Sequence, residues 1–90
     1  MAERRVKVES EVGLHARPAA LFVQAAAKAP VDVTVAKAGG QPVNAKSILA
    51  VMGLDVRHGD DVVIAADGEG ADAVLDELAE IAGNKEPSSA

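Results

Sequence analysis

Residues 61–83 read DVVIAADGEGADAVLDELAEIAG and combine a buried strand with a helix. Apolar residues fill positions 62–64, and this run predicts a strand over 61–66. Beyond the glycine-containing loop 68–70, apolar side chains recur every three or four residues, and acidic side chains lie mostly outside that stripe. The spacing predicts an amphipathic helix that begins near Ala71 and is capped by Gly83 and Asn84.

Three further strands are predicted upstream of this unit. Valines alternate with other residues through 31–36, and a similar alternation over 4–9 indicates a half-buried strand. Gly39 and Gly40 favour a tight hairpin into a short strand over 41–43. Pro42 cannot donate to a ladder, so we expect that short strand at an edge of the sheet.

Two more helices complete the pattern. Residues 16–28 are rich in alanine, Pro18 is tolerated in a first turn, and Pro30 stops the helix. A shorter helix is predicted from near Ser47 to Leu54.

The predicted order is therefore βαββαβα, an α+β fold in which helices cover one face of a four-stranded, largely antiparallel sheet. Ninety residues leave room for one core, so we expect a single domain over 1–84 and a flexible tail over 85–90. This topology supports many functions and identifies none by itself.

Composition excludes several classes of function. The chain has 9 basic and 14 acidic side chains, a net charge of -5, and this balance argues against nucleic-acid binding. It has no cysteine for a disulfide or a thiolate metal site, and Phe22 is its one aromatic residue. No apolar run is long enough for a membrane span, and no signal segment follows the charged N-terminus. We expect a cytoplasmic protein without direct membrane insertion.

The chain has two histidines, and their positions differ. His15 lies where a loop becomes the first predicted helix, and a helix N-terminus favours an anion because its backbone N–H groups lack partners. Arg17 adds a full charge and a fork of donors that fits phosphate oxygens. The same field disfavours imidazolium and keeps His15 neutral, which is the form that can attack. His58 lies in a polar turn and is interpreted as a surface residue paired with Asp60 or Asp61.

The spacing alone leaves two interpretations of this site open. In one, His15 is a nucleophile beside an anion cradle formed with Arg17. In the other, His15 merely caps a helix and Arg17 is a solvated side chain. Two histidines without ligand-like spacing do not indicate zinc, and we expect neither a metal nor a cofactor.

Two motifs favour the first interpretation. Residues 13–19, Gly-Leu-His-Ala-Arg-Pro-Ala, resemble the active-site signature of HPr, the histidine-containing phosphocarrier family of the bacterial sugar phosphotransferase system. Residues 44–52, Asn-Ala-Lys-Ser-Ile-Leu-Ala-Val-Met, resemble that family's serine-site motif. The resemblance extends from about Val6 to Gly83, and it implies the family's open-faced β-sandwich.

The resemblance implies a carrier and not an enzyme. Enzyme I, phosphorylated from phosphoenolpyruvate, would transfer its phosphoryl group to Nδ1 of His15, and the phosphohistidine would donate it to IIA domains of sugar permeases. Arg17 and the backbone N–H groups of Ala16 and Arg17 would hold the phosphate. The shuttle role needs an exposed His15, so we expect a monomer.

The second motif has a structural and a functional interpretation. Ser47 begins a helix, which serine does well by capping free N–H groups, and the resemblance implies regulatory phosphorylation there by a serine kinase in some bacteria. Ile48, Leu49 and Met52 are core residues by spacing, but the resemblance implies an exposed patch that binds partner proteins. We expect Leu49 or Ile48 to be partly exposed together with Met52, and Val51 and Leu54 to be buried.

Three positions depart from the family pattern. Val12 stands where a small polar residue is usual, Asp55 where glycine is frequent, and the hairpin at 39–41 is one residue longer than in many relatives.

Two other functions stay open. One is a regulatory or nitrogen-branch paralogue of HPr, and the other is a module that binds an anion or a partner without carrying phosphate.

Overall fold

The computed structural model describes residues 2–9, 13–14 and 16–83. Its strands and helices follow the predicted order βαββαβα. The elements are β1 (Ala2–Lys7), α1 (Ala16–Lys28), β2 (Val33–Lys37), β3 (Val43–Asn44), α2 (Ile48–Gly53), β4 (Asp61–Ala66) and α3 (Ala71–Gly83). The predicted domain limit at residue 84 and the tail over 85–90 lie outside the described residues.

The four strands form one antiparallel sheet in the order β1-β4-β2-β3. Ile64 at the centre of β4 lies between Arg4 of β1 and Val35 of β2. Because side chains alternate along a strand, this register puts Val62, Ile64 and Val35 on one face, and all three are fully buried. The predicted α+β class and sheet are therefore confirmed.

The helices supply the other half of the core. α3 packs on β1 and β4 and also contacts α1, while α1 contacts α2. The apolar stripe of α3 buries Leu75 and Leu78 completely, and α1 buries Phe22. These large side chains meet the buried valines of the sheet in one core cluster. The opposite face of the sheet carries Glu3, Arg5 and Lys7 of β1, which are exposed.

Several predicted boundaries were accurate and others were wrong. α1 and β4 have the predicted limits, whereas β2 begins at Val33 and leaves Val31 in the preceding loop. Val31 instead packs against the loop at Gly68, where an added Cβ would lie 2.8 Å from its Cγ1. The strand predicted at 41–43 lies at Val43–Asn44, at the edge of the sheet, after Pro42, which has no N–H for the ladder.

The two chain ends also differ from prediction. β1 spans residues 2–7 and not 4–9, because Val8 exchanges its backbone hydrogen bonds with the turn, donating to Asp60 and accepting from Gly59. Gly83 was predicted as a cap but is the last residue of α3. An added Cβ there would lie 3.3 Å from Val6, so a small residue suits this close approach of helix and strand. Asn84, the other predicted cap residue, lies outside the described residues.

Within the described part of the chain, no helix is long and apolar enough to cross a membrane.

Candidate functional site

The N-terminus of α1 is the centre of the candidate site. α1 begins at Ala16, whose φ of +52° is left-handed and costs an L-residue about 1 kcal/mol or more. Arg17 is exposed in the first turn, and that turn contains no acidic residue. Pro18 is buried and has no N–H to leave without a partner. His15 and Val12 lie outside the described residues.

The strained start of α1 follows a tightly fixed pair of residues. Leu14 is fully buried, and its N–H donates to the carbonyl oxygen of Val56 over 3.1 Å. Gly13 is buried with φ +66°, and a Cβ there would overlap the Val56 carbonyl and lie 2.7 Å from Cα of Arg57. Glycine is therefore required here both by conformation and by space.

Gly13 and Leu14 pack against the turn that follows α2. Asp55 adopts φ +56°, the left-handed conformation that glycine adopts readily and that Asp tolerates better than most residues. The departure that the sequence showed at this position therefore preserves a glycine-like turn. Its carboxylate accepts from Nε and Nη2 of Arg57 at 3.3 and 3.0 Å. This hydrogen-bonded charge pair raises the pKa of Arg57.

Asp60 and Asp61, the partners predicted for His58, form hydrogen bonds and ion pairs with other residues. His58 is exposed in the turn between α2 and β4. Asp60 accepts the Arg57 backbone N–H at 3.0 Å and lies 3.5 Å from Nζ of Lys37. The backbone hydrogen bond, supported by the positive charge of Lys37, lowers the pKa of Asp60. Asp61 pairs with Arg5 at 3.1 Å.

Ser47 caps α2 as the sequence predicted. Its backbone is extended, and its side-chain oxygen accepts from the N–H of Ala50 at 3.2 Å. This hydrogen bond satisfies one of the free donors at the helix start. The neighbouring Lys46 donates from Nζ to the carbonyl oxygen of Ala29, just beyond α1, so the same segment also links the two helices.

α2 exposes the apolar patch formed by Ile48, Leu49 and Met52. The exposed fractions of these residues are 38%, 81% and 39%. Val51 of the same helix is fully buried, as predicted. Leu54 was predicted to be buried, but it is only half-buried, because it follows the last helical residue, where the chain leaves the core for the turn.

The described site offers cationic and N–H groups and no metal cage. Among residues 2–9, 13–14 and 16–83, no three His, Cys, Asp or Glu side chains come together as metal ligands. Arg17 and the first N–H groups of α1 suit an anion.

The sequence did not predict that Arg57 or the Val56 carbonyl would contribute to the site. The sole signal was the unusual Asp55, since a backbone carbonyl leaves no trace in a residue pattern.

Comparison with known proteins gives consistent matches over most of the chain. A family model described as the PTS HPr component phosphorylation site matches residues 2–84. The chain is 57% identical to the phosphocarrier protein HPr of Streptomyces coelicolor over 81 residues, which cover 90% of this chain and 87% of that protein.

Two solved structures are also similar. The HPr of Bacillus anthracis superposes with a TM-score of 0.85 at 41% identity, over 90% of this chain and 95% of that one. An HPr dimer from Thermoanaerobacter tengcongensis superposes with a TM-score of 0.69 at 40% identity, over 90% and 92%.

Proposed function

This chain belongs to the HPr family of phosphocarrier proteins of the phosphotransferase system, and from that membership we propose that His15 is the residue that carries the phosphoryl group. The family match over residues 2–84 carries this proposal. HPr proteins are carriers modified and restored by their partners, which are enzyme I and IIA domains, so the chain is not an enzyme in the ordinary sense. We expect it to act in the cytoplasm.

The transfer has a simple chemical balance. A lone pair of the neutral His15 imidazole attacks the phosphorus of phosphorylated enzyme I, and an N–P bond forms while the bond from phosphorus to enzyme I breaks. The N–P bond then breaks in donation to a IIA domain, while a bond forms from phosphorus to a nucleophile of that domain. The N–P bond is reactive enough for this second step, and the site must stabilise the phosphate without trapping it.

Arg17 and the start of α1 supply that moderate stabilisation. The N–H groups of Ala16 and Arg17 lie at a helix N-terminus, and the guanidinium of the exposed Arg17 provides a movable fork of donors. Replacing Arg17 with Gln should lower phosphoryl transfer by roughly tenfold to a hundredfold, since charged hydrogen bonds contribute about 1.5–3 kcal/mol. Because Arg17 is exposed, the stability of the fold should change little.

The patch of Ile48, Leu49 and Met52 is proposed as the partner-binding surface. A surface patch of three neighbouring large apolar side chains is typical of a protein interface. The turn that follows α2 packs against Gly13 and Leu14, so a partner bound to this patch would lie near the segment that precedes His15. Phosphorylation of Ser47 would add charge beside the same surface, and we propose it as a point of regulation where a serine kinase is present.

We infer that the working form is a monomer. A carrier that passes phosphate between two large partners needs its acceptor site open, and a chain of 9.1 kDa presents that site without a second subunit. Light scattering on the eluting peak of a gel-filtration column should give this mass. A measured mass twice as large, at concentrations where transfer is fast, would contradict the monomer and indicate a dimer, as in the Thermoanaerobacter tengcongensis structure.

The decisive experiment is the intact mass of the protein after incubation with phosphoenolpyruvate and a cognate enzyme I. One added phosphoryl group, lost in acid and absent without enzyme I, is expected for the natural chain. His15→Ala should gain none while retaining its far-UV circular dichroism. No modification of the natural chain would overturn the proposal, and partners of the α2 patch would then be sought for a non-carrier module.

A further inference from the structure

The turn between α2 and β4 is fixed at both ends by side chains. At its start, Asp55 is left-handed, its N–H donates to Met52, and its carbonyl oxygen accepts from Nζ of Lys37 at 3.2 Å. At its end, the N–H of Arg57 donates to the Asp60 carboxylate at 3.0 Å. The two-point pair between the Asp55 and Arg57 side chains joins the two halves of the turn across Val56.

Val56 therefore has a fixed orientation. Its side chain is fully buried in the core, and its carbonyl oxygen accepts the N–H of Leu14 at 3.1 Å. The same carbonyl occupies the space that a side chain at Gly13 would need. The backbone at 13–14, immediately before His15, is thus held by the one residue that Asp55 and Arg57 flank.

We propose that Asp55 and Arg57 are positioning residues for phosphoryl transfer, because their pairing holds the Val56 carbonyl that sets the backbone before His15. The inference rests on the proposed role of His15 as acceptor. Neither side chain needs to touch the phosphate. Small displacements of a reacting group lower transfer rates strongly, so a pair that fixes the adjacent backbone affects the rate through geometry.

The exposure of the pair separates this role from a structural one. The side chains of Arg57 and Asp55 are 74% and 55% exposed, and an ion pair so placed contributes little to the stability of the fold. Its loss should therefore be visible in the transfer step and in the local hydrogen bond, while the overall unfolding transition stays almost unchanged.

Asp55→Asn and Arg57→Gln test the pair, and Asp76→Asn is the matched control. Asn tolerates the left-handed turn and preserves the size of the side chain, so Asp55→Asn removes the charge and one of the two acceptor oxygens that Arg57 uses. Asp76 accepts from Nε and Nη2 of Arg4 at 3.3 and 3.1 Å on the distant α3. Asp76→Asn thus removes the nearer of two acidic partners of Arg4, while Asp72 stays 3.6 Å from its Nη2.

Initial rates with the chain as substrate of enzyme I give kcat and KM separately. We expect Asp55→Asn and Arg57→Gln each to lower kcat about two- to fivefold at unchanged KM, with the double variant no slower than either single one. The Leu14 amide should exchange its hydrogen faster in these variants. Asp76→Asn should match the natural chain in both measurements.

Rates and exchange equal to those of Asp76→Asn would overturn the proposal. An effect confined to KM would also overturn it, since that result describes a partner contact and not a positioning pair. If the natural chain accepted no phosphoryl group, both this inference and the proposed function would fail. A phosphorylated natural chain beside unaffected variants would reject this inference alone.

Discussion

Leu14 donates its backbone N–H to the carbonyl oxygen of Val56 over 3.1 Å, which joins the loop before α1 to the turn after α2. The two residues are more than forty positions apart in the chain, and both are fully buried. The hydrogen bond fixes the residue that precedes His15 relative to the core. The conformation of the proposed phosphate site therefore depends on a turn whose own sequence carries no acceptor motif.

Gly13→Ala should destabilise the fold strongly. A methyl group at Gly13 would need both a left-handed backbone and space already filled by the Val56 carbonyl, so we expect a loss of more than about 2 kcal/mol of unfolding free energy. Urea unfolding followed by far-UV circular dichroism measures it. Gly39→Ala is the control, since φ there is +83° with open space around it, and it should cost only about 1 kcal/mol. Equal losses in the two variants would refute the packing argument.

The helices and β4 could be predicted because their signals are local. Apolar spacing in 71–82, alanine content in 16–28 and the apolar run at 62–64 each act within one element. The observed ends of β1 and β3 differ from the predicted ends by two residues or fewer. The end of a strand depends on which backbone groups of the neighbouring strand are available for hydrogen bonds, and the sequence of the strand itself does not show this. Val8 has alternating apolar neighbours, yet its hydrogen bonds go to Asp60 and Gly59.

The site was predictable in its motif residues and not in its supporting contacts. Gly13 and Arg17 stand in a recognisable pattern, and Ser47 caps α2 by a local hydrogen bond. The contact from Leu14 to Val56 is made by backbone atoms of any residue type, so no pattern encodes it. Asp55 illustrates the same limit, since its left-handed conformation is known only from the structure.

Ser47→Ala should destabilise the protein by about 1 kcal/mol. The Ser47 hydroxyl accepts from Ala50 at 3.2 Å, and alanine leaves that N–H without its cap. Ser47→Gly should cost only a few tenths of a kcal/mol, because glycine is itself acceptable at an N-cap. The urea concentration at the unfolding midpoint, compared at equal m-values, measures the difference in stability between the two variants. An alanine variant as stable as the glycine variant would show that this hydrogen bond contributes nothing measurable.

A phosphate on Ser47 should leave the helix content unchanged. It would lie near the N-terminus of α2, where negative charge is favourable, so the expected effect is on partner binding and not on folding. Circular dichroism of the phosphoserine form measures this directly. A loss of helix signal relative to the unmodified chain would contradict the expectation.

Leu49→Gln should weaken partner binding without affecting the fold. Leu49 is 81% exposed, and glutamine is a good helix former, so the unfolding free energy should change by less than about 0.5 kcal/mol. Loss of an apolar contact should raise the KM with enzyme I about tenfold. Val51→Ala is the opposite case on the same helix: it is fully buried and should cost about 2 kcal/mol of stability. An unchanged KM for Leu49→Gln would remove this patch from the interface.

Asp60→Asn should make the free energy of unfolding decrease less as the pH falls into the acid range. The Arg57 N–H and then the charge of Lys37 lower the pKa of Asp60 in the folded chain below its ordinary 3.8. The folded state therefore binds this proton less readily than the unfolded chain, and the resulting stabilisation is complete above the ordinary carboxyl range and is lost as the pH falls below it. Asparagine still accepts from Arg57 but has no proton to gain. Urea unfolding at a series of pH values from neutral into this acid range should show a smaller decline for Asp60→Asn than for the natural chain. Parallel declines would mean that Asp60 contributes no such linkage.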